Sequence, residues 1–162
     1  MTLREISLTL PNRPGALAGV ARTLAKERLN VAAISVDAVA GTGRVRLIVN
    51  DPDRALRLLT VAGYDPDVRE MIAVRLEDRA GSFLRVLEVL ACERVNIQSV
   101  AILVARDGNL PLVALSASDL PRARRLLQRT GFASRSTDEL VSNEDLLATA
   151  PTIPTESVAF LL

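Results

Sequence analysis

"RPGALAGVARTLAKERLNV", residues 13–31, recurs later in the chain as "RAGSFLRVLEVLACERVNI", residues 79–97. The two stretches have Arg, Gly, Val, Leu, Glu-Arg and Asn at the same places, and Gly81 follows Gly15 by 66 residues. A match of this length at one fixed spacing is typical of an internal repeat. We therefore predict that the chain contains two copies of one structural unit.

The same order of elements is predicted in each copy. Alternating apolar residues at 6–10 and 72–76 indicate a half-buried strand. In the quoted stretches the apolar residues repeat at i, i+3, i+4 and i+7, which predicts an amphipathic helix. Runs rich in β-branched residues then flank turns at 41–43 and 107–109, so a hairpin is expected in each copy.

A second helix and a last strand complete each predicted unit. Asp and Pro at the start and Gly after the end predict helices within 51–63 and 119–131. Short strands are expected near 65–70 and 132–140. The order βαββαβ predicts an α+β fold with two ferredoxin-like units, each a four-stranded antiparallel sheet with two helices on one face.

Three segments are expected along the chain: a first unit at 1–69, a second at 70–141, and a C-terminal tail at 142–162, where the repeat is lost. A unit of roughly 65 residues buries too little surface to be robust alone. We therefore expect the two units to pack together, with their sheets side by side or face to face.

The two predicted sheets differ in the polarity of the face that points away from the helices. Strand parity gives unit one a polar face, with Ser7, Thr9, Ser35, Asp37, Arg44 and Arg46. It gives unit two an apolar face, with Ala73, Ala101, Leu103, Leu112 and Ala114. Because an apolar face of this size is rarely left in water, we expect either the tail or a partner subunit to cover it.

Composition excludes several classes of function. The chain has 162 residues, of which 49% are hydrophobic, and a formal charge of +1 from interspersed basic and acidic residues. No basic tract is available for nucleic acid, and no apolar run reaches membrane-spanning length. With a single Cys no internal disulfide can form, which fits a reducing compartment. We expect a cytoplasmic protein without nucleic-acid or membrane partners.

Catalysis is not supported by the residue types present. The chain has no His, no Cys pair and no phosphate-binding glycine loop, so we expect no catalytic residues, no metal and no cofactor. RNA-recognition modules share the βαββαβ order, but they need aromatic side chains on the open sheet. The aromatic residues lie outside the predicted central strands, which disfavours RNA binding: Tyr64, Phe83, Phe132 and Phe160.

The repeated corner identifies a family resemblance. Asn or Asp, then Arg-x-Gly, leads from a strand into a helix, and Asn-Val or Asn-Ile follows that helix. This pattern, over about residues 3–140, resembles the ACT domain, a small-ligand regulatory module found in phosphoglycerate dehydrogenase and aspartokinase. Two copies resemble the stand-alone tandem ACT proteins. The resemblance implies a non-enzymatic regulatory or sensor protein, a homodimer, that binds an amino acid or similar metabolite at ACT–ACT interfaces.

The resemblance also implies where the ligand lies. In the family it binds where two units meet, against the loop after the first strand and the start of the second strand. The matching candidates here are Asn12, Arg13, Gly15, Asn30 and Val31 in unit one and Asp78, Arg79, Gly81, Asn96 and Ile97 in unit two. Backbone N–H groups at a helix start suit a carboxylate, and a side-chain oxygen can accept from an ammonium group. Asp78 suits the ammonium group better than Asn12, so we favour unit two.

Structural interpretations of the same residues stay open. Asn12 and Asp78 are good N-cap residues for the helices that follow them. Asn30 and Asn96 stand where a helix ends, and Asn tolerates the left-handed backbone found there. If the loop donors serve only in caps, the alternative function is a structural dimerisation or partner-binding module without a working ligand site.

Overall fold

The computed structural model describes residues 3–39, 41–107, 110–132 and 134–135. In unit one the elements are β1 (Leu3–Pro11), α1 (Ala16–Lys26), β2 (Val31–Val39), β3 (Thr42–Val49) and α2 (Pro52–Val61). They are followed by β4 (Asp67–Arg75), α3 (Ser82–Cys92), β5 (Ile97–Asp107), β6 (Leu110–Ala117), α4 (Leu120–Arg129) and β7 (Ser134–Arg135). The predicted fold of two ferredoxin-like units is confirmed.

Some expected features lie outside the described residues. The tail at 142–162 does so entirely, as do two residues of the turn predicted at 107–109. Of the strand expected near 132–140, the described residues include the two of β7.

The second helix of each unit begins as its sequence predicts. The Asp51 carboxylate accepts a hydrogen bond from the backbone N–H of Arg54 at 3.0 Å, and that of Asp119 accepts from Arg122 at 2.9 Å. A Pro in the first turn of each helix leaves no amide hydrogen unsatisfied there. The same type of cap therefore defines the start of α2 at 51–52 and the start of α4 at 119–121.

One antiparallel sheet runs through both units, in the order β2-β3-β1-β4-β6-β5, with β7 beside β4. Residues 67–71 of β4 pair with β1, and residues 72–75 pair with β6. β4 is therefore the last strand of unit one and the first strand of unit two. The division that we predict between residues 69 and 70 falls inside this shared strand.

Three apolar clusters hold the sheet and helices together. The first lies between the sheet of unit one and its helices and includes Ile6, Leu24 and Leu59. The second is its counterpart in unit two, around Ile72 and Leu90. The third lies on the opposite face of the sheet and contains residues of both units: Leu3, Ala33, Ile48, Met71, Ala73, Leu103, Leu112 and Ala114.

The third cluster shows how the two units pack. β2 and β5 stand at opposite ends of the strand order, yet they contact each other, so the sheet folds back and its halves face one another. The apolar face predicted for unit two is buried in this way, with Leu112 only 1% exposed. We expected the tail or a partner subunit as its cover; among the described residues, Leu3, Ala33 and Ile48 of unit one pack against it.

Candidate functional site

Two corners with the same backbone connect β1 to α1 and β4 to α3. Gly15 and Gly81 are the N-cap residues of the two helices, and both have φ of 85°. A Cβ at either position would meet no atom within 4 Å. The left-handed backbone, which L side chains rarely adopt, is thus the reason that glycine suits each corner.

No side chain caps α1 or α3. The interpretation of Asn12 and Asp78 as N-caps was therefore wrong, because each lies three residues before the glycine that has this role. Asn12 instead uses its backbone N–H, which donates to the carbonyl of Gly41 at 3.0 Å. Without a side-chain acceptor, the positive end of each helix keeps its capacity to bind an anion.

Backbone hydrogen bonds shape both corners alike. The N–H of Arg13 donates to the carbonyl two residues before it at 2.9 Å, and the N–H of Arg79 does the same at 2.8 Å. Ala16 and Ser82 then donate to the carbonyls of these arginines at 3.3 and 3.2 Å. The Arg79 guanidinium also pairs with the exposed carboxylate of Glu77. Both corners are thus closed turns whose polar side chains at residues 12 and 78 are exposed.

Asn30 and Asn96 stand immediately before β2 and β5. The N–H of Asn30 donates to the side-chain oxygen of Asn50 at 3.0 Å, and that of Asn96 donates to the hydroxyl of Ser118 at 3.1 Å. In return, the carbonyls of Asn30 and Asn96 accept from the backbone N–H groups of Asn50 and Ser118. The backbone of each Asn therefore joins the start of one strand to the end of the next.

The left-handed residue after each first helix is an arginine. Arg28 has φ of 55° and Arg94 has φ of 56°. The interpretation of Asn30 and Asn96 as the left-handed residues was therefore wrong by two positions. Their side chains are exposed beyond the turn.

The two parts of the predicted site lie far apart within one unit. Pro11 at the end of β1 pairs with the start of β3, whereas Val31 at the start of β2 pairs with the end of β3. Asn12 and Asn30 are thus at opposite ends of the sheet. The strand directions put Asn12 at the same end as Asn96, and Asp78 at the same end as Asn30. A pocket that uses both parts must therefore take them from different units.

The sequence comparisons agree with this architecture. The family model of the ACT domain matches residues 4–61. The chain contains an ACT domain at these residues. The match covers unit one, and unit two repeats its element order, its corner with Gly81 and its capped second helix. No curated protein matches the chain.

Solved structures share the fold over both ACT units. Protein BT0572 from Bacteroides thetaiotaomicron is 25% identical, with a TM-score of 0.80 over 88% of this chain and 97% of that one. The ligand-free regulatory subunit of aspartate kinase from Thermus thermophilus is 19% identical, with a TM-score of 0.58 over 80% and 93% of the two chains. The regulatory subunit of aspartate kinase from Thermus flavus has 17% identity and a TM-score of 0.56, over 80% and 92%.

A cavity of about 270 Å³ adjoins the corner of the second ACT unit. It lies between the end of β4, the first turns of α3 and the residues after α4, and none of the ten predicted ligand-binding residues lines it. Ser82, Arg85 and Phe132 in its wall were missed by the sequence reasoning. The available signal was that the aligned positions of the first unit carry different residue types: Ala16, Gly19 and Tyr64.

A second cavity, of about 410 Å³, lies on the polar sheet face of the first ACT unit. Three acidic and three basic side chains line it, so it does not favour ligands of one charge: Glu5, Asp65, Asp67, Arg44, Arg46 and Arg69. Arg46 is held by the Asp37 carboxylate and by the Ser35 hydroxyl, to which its Nε donates at 3.0 Å. This face thus carries the Arg46–Asp37 ion pair among side chains of both charges.

The clearest electrostatic effect lies away from both corners. Arg4 on β1 donates to the two carboxylate oxygens of Asp53 on α2 at 2.7 and 2.6 Å. These hydrogen bonds lower the pKa of Asp53 below its usual value and raise that of Arg4. The pair joins β1 to the first turn of α2, where a negative charge is also favourable to the helix.

Other chemistry has little support in the part of the chain that the structure describes. There, no group of His, Cys, Asp or Glu residues is arranged to hold a metal ion. None of the four described helices has the length and the apolar character needed to cross a membrane. The two corners that begin α1 and α3 are accordingly taken as the candidate site.

Proposed function

We propose that this ACT-domain protein is a non-enzymatic regulatory protein of the cytoplasm that binds an amino acid, or a similar small metabolite, where ACT units meet. The observation that carries the proposal is the pair of uncapped helix starts beside Asn12 and Asp78. Each combines the positive end of a helix with an exposed polar side chain three residues before its N-cap.

An α-amino acid suits this combination because it carries both charges a few ångströms apart. Its carboxylate would lie against the first turn of the helix, and its ammonium group would bind the side chain at residue 12 or 78. Asp78 brings a full negative charge, whereas Asn12 brings only an amide oxygen. The corner of the second unit is accordingly the stronger candidate.

A homodimer would bring further units together. β2 and β5 end the strand order of the described sheet, and both expose apolar side chains. Ile102 and Val104 on β5 are 74% and 75% exposed, and Ile34 on β2 is 55% exposed. Because exposed apolar side chains on neighbouring positions favour contact with another chain, we propose that two chains meet at the exposed side chains of β5. A ligand buried between units would stabilise the assembled state alone.

A regulatory role is supported by analogy of fold. The neighbours from Thermus thermophilus and Thermus flavus are regulatory subunits of aspartate kinase, and their chains are covered almost completely by this fold. Fold analogy alone carries no ligand or target. The identity of the bound amino acid must therefore be determined by experiment.

A thermal-shift screen of the purified protein against the twenty amino acids tests the proposal. We expect one or a few amino acids to raise the unfolding temperature in a concentration-dependent manner. The effect should be lost in Asp78→Ala and kept in Asn12→Ala, the matched change in unit one. A shift that both variants retain would refute the assignment to the corner of unit two.

The alternative is a dimerisation or partner-binding module, which the exposed apolar residues of β5 favour. Its distinguishing result is a stable dimer in analytical ultracentrifugation that shows no thermal shift with any amino acid. That result would contradict the proposal of an amino-acid sensor and would support the dimerisation module.

A further inference from the structure

We propose that the second ACT unit contains a separate binding site for a small organic carboxylate, in the cavity of about 270 Å³ beside the first turn of α3. The site lies within one unit and needs no second chain. None of the ten side chains and glycines proposed above for the amino acid lines it, and the two sites share only the positive end of α3. The inference therefore goes beyond the proposed function.

Ser82 gives the first observation. It is the first residue of α3, a helix of 11 residues, and it is only 7% exposed. Its backbone N–H donates to the carbonyl of Arg79, but its Oγ has no hydrogen-bond partner in the structure. A buried hydroxyl is nearly always paired, because leaving it unpaired costs stability. A hydrogen-bond acceptor bound in the cavity would give the Ser82 hydroxyl the partner that it lacks.

The charge around the cavity gives the second observation. The positive end of α3 is uncapped by any side chain, and Arg85 is among the residues that line the cavity. Arg85 lies over the ring of Phe132, with its Cζ 5.9 Å from the ring centroid, which favours its position at the wall. The negative charge of Glu77 is paired with Arg79. The site therefore favours an anion.

Size and polarity narrow the anion to a small carboxylate. The cavity is slightly below the range of about 300–1,000 Å³ that is usual for drug-sized ligands. Leu76, Leu110 and the Phe132 ring supply apolar wall. A carboxylate can accept from the Ser82 hydroxyl while a short hydrocarbon group contacts these side chains.

The first unit fills the corresponding space with its own side chain. There Gly19 stands where unit two has Arg85, and Tyr64 stands where it has Phe132; Tyr64 and Phe132 make the same backbone hydrogen bond after their helices. A Cβ on Gly19 would come within 2.8 Å of the Tyr64 hydroxyl, so that hydroxyl occupies the space above the helix. Unit two lacks this hydroxyl and has a buried serine instead.

The test is a titration of the full chain with sodium acetate, propionate and butyrate, followed by ¹H–¹⁵N NMR at constant ionic strength. We expect saturable shifts of amides at 82–86 and 130–132, which sodium chloride does not produce. Ser82→Ala, which installs the residue of unit one, should weaken binding about tenfold or more. Arg85→Gly combined with Phe132→Tyr, which copies the packing of unit one, should abolish it.

Two controls make the outcome specific. Arg22→Ala removes an exposed arginine of α1 and should leave carboxylate binding unchanged, as should Asp78→Ala, which tests the other site. If the double variant does not fold, Ser82→Ala alone decides. No saturable shift with the three carboxylates, or the same affinity in Ser82→Ala as in the unchanged protein, would overturn the proposal.

Discussion

The hydroxyl of Ser99 on β5 donates to the carboxylate of Glu5 on β1 at 3.3 Å, a hydrogen bond between the two ACT units. Glu5 is 5% exposed, and Ser99 also lies 2.8 Å from the hydroxyl of Ser116. This polar group adjoins the apolar cluster between the sheet halves. Because a buried carboxylate needs partners, the two serines help to make the face-to-face packing specific.

Ser99→Ala is expected to lower the free energy of unfolding by about 1–3 kcal/mol, because it leaves a buried acceptor without this donor. Urea denaturation measures the loss. Thr9→Ala, which removes an exposed hydroxyl of β1, is the control and should stay within about 0.5 kcal/mol. Equal effects of the two substitutions would show that the Glu5 contact contributes nothing.

Leu112→Ala tests the apolar part of the same interface. Leu112 is fully buried in the cluster formed by both units, so the substitution should cost about 2–5 kcal/mol. Val61→Ala, at a position 89% exposed, should have little effect. If Leu112→Ala were as mild as Val61→Ala, the two sheet halves would not pack as described.

A double-mutant cycle tests the contact of Gly19 with Tyr64. Ala at residue 19 favours the helix by about 1 kcal/mol, but its Cβ would clash with the Tyr64 hydroxyl. We therefore expect Gly19→Ala to stabilise the Tyr64→Phe protein more than the unchanged protein. Thermal unfolding of the four proteins gives the coupling, and an identical effect in both backgrounds would exclude the contact.

The Arg4–Asp53 pair predicts a pH dependence. Since hydrogen bonds from Arg4 lower the pKa of Asp53 in the folded state, the pair stabilises the fold above the unfolded pKa of about 3.9. That contribution is lost as the pH falls through the folded pKa. Asp53→Asn should therefore be less stable than the unchanged protein at pH 7 and equally stable in strong acid. A constant difference in unfolding temperature across this range would contradict the assignment.

Ile102→Lys tests the proposed dimer along β5. A charge among these exposed apolar side chains should prevent the contact between chains and give a monomer in analytical ultracentrifugation. Val61→Lys, on the exposed end of α2, should keep the oligomeric state of the unchanged protein. A dimer that persists in Ile102→Lys would move the interface elsewhere, with the β2 edge at Ile34 as the next candidate.

Most of the fold could be predicted from the sequence because strands and helix starts are specified by residues close together in the chain. Alternation of apolar residues gave the strands, and Asp51 and Asp119 marked helix starts with their own side chains. The capping interpretation of Asn12 and Asp78 failed because residue preference does not reveal which position is left-handed. The backbone puts that conformation at Gly15 and Gly81.

The packing of the units and the extra cavity depend on contacts between distant residues. Parity identified the apolar face of unit two, but nothing near Leu112 in sequence indicates that Leu3 and Ile48 cover it. The cavity at Ser82 follows from differences in side-chain volume between the repeats, which an alignment of matching residues passes over. The sequence shows that the residue types differ, but a comparison of the two units in space is needed to show that the differences leave a cavity.

β4 sets the orientation of one unit relative to the other. Along this strand Met71 and Ala73 point into the cluster between the sheet halves, while Ile72 and Val74 point to the helices of unit two. Because side chains alternate with a period of two, one residue inserted after Met71 would reverse the second half of the strand. The apolar residues that pack against the helices of unit two would then point to the opposite face of the sheet. The number of residues in β4 thus determines on which face of the sheet the helices of unit two lie. Only insertions or deletions of even length would keep them on the same face as the helices of unit one.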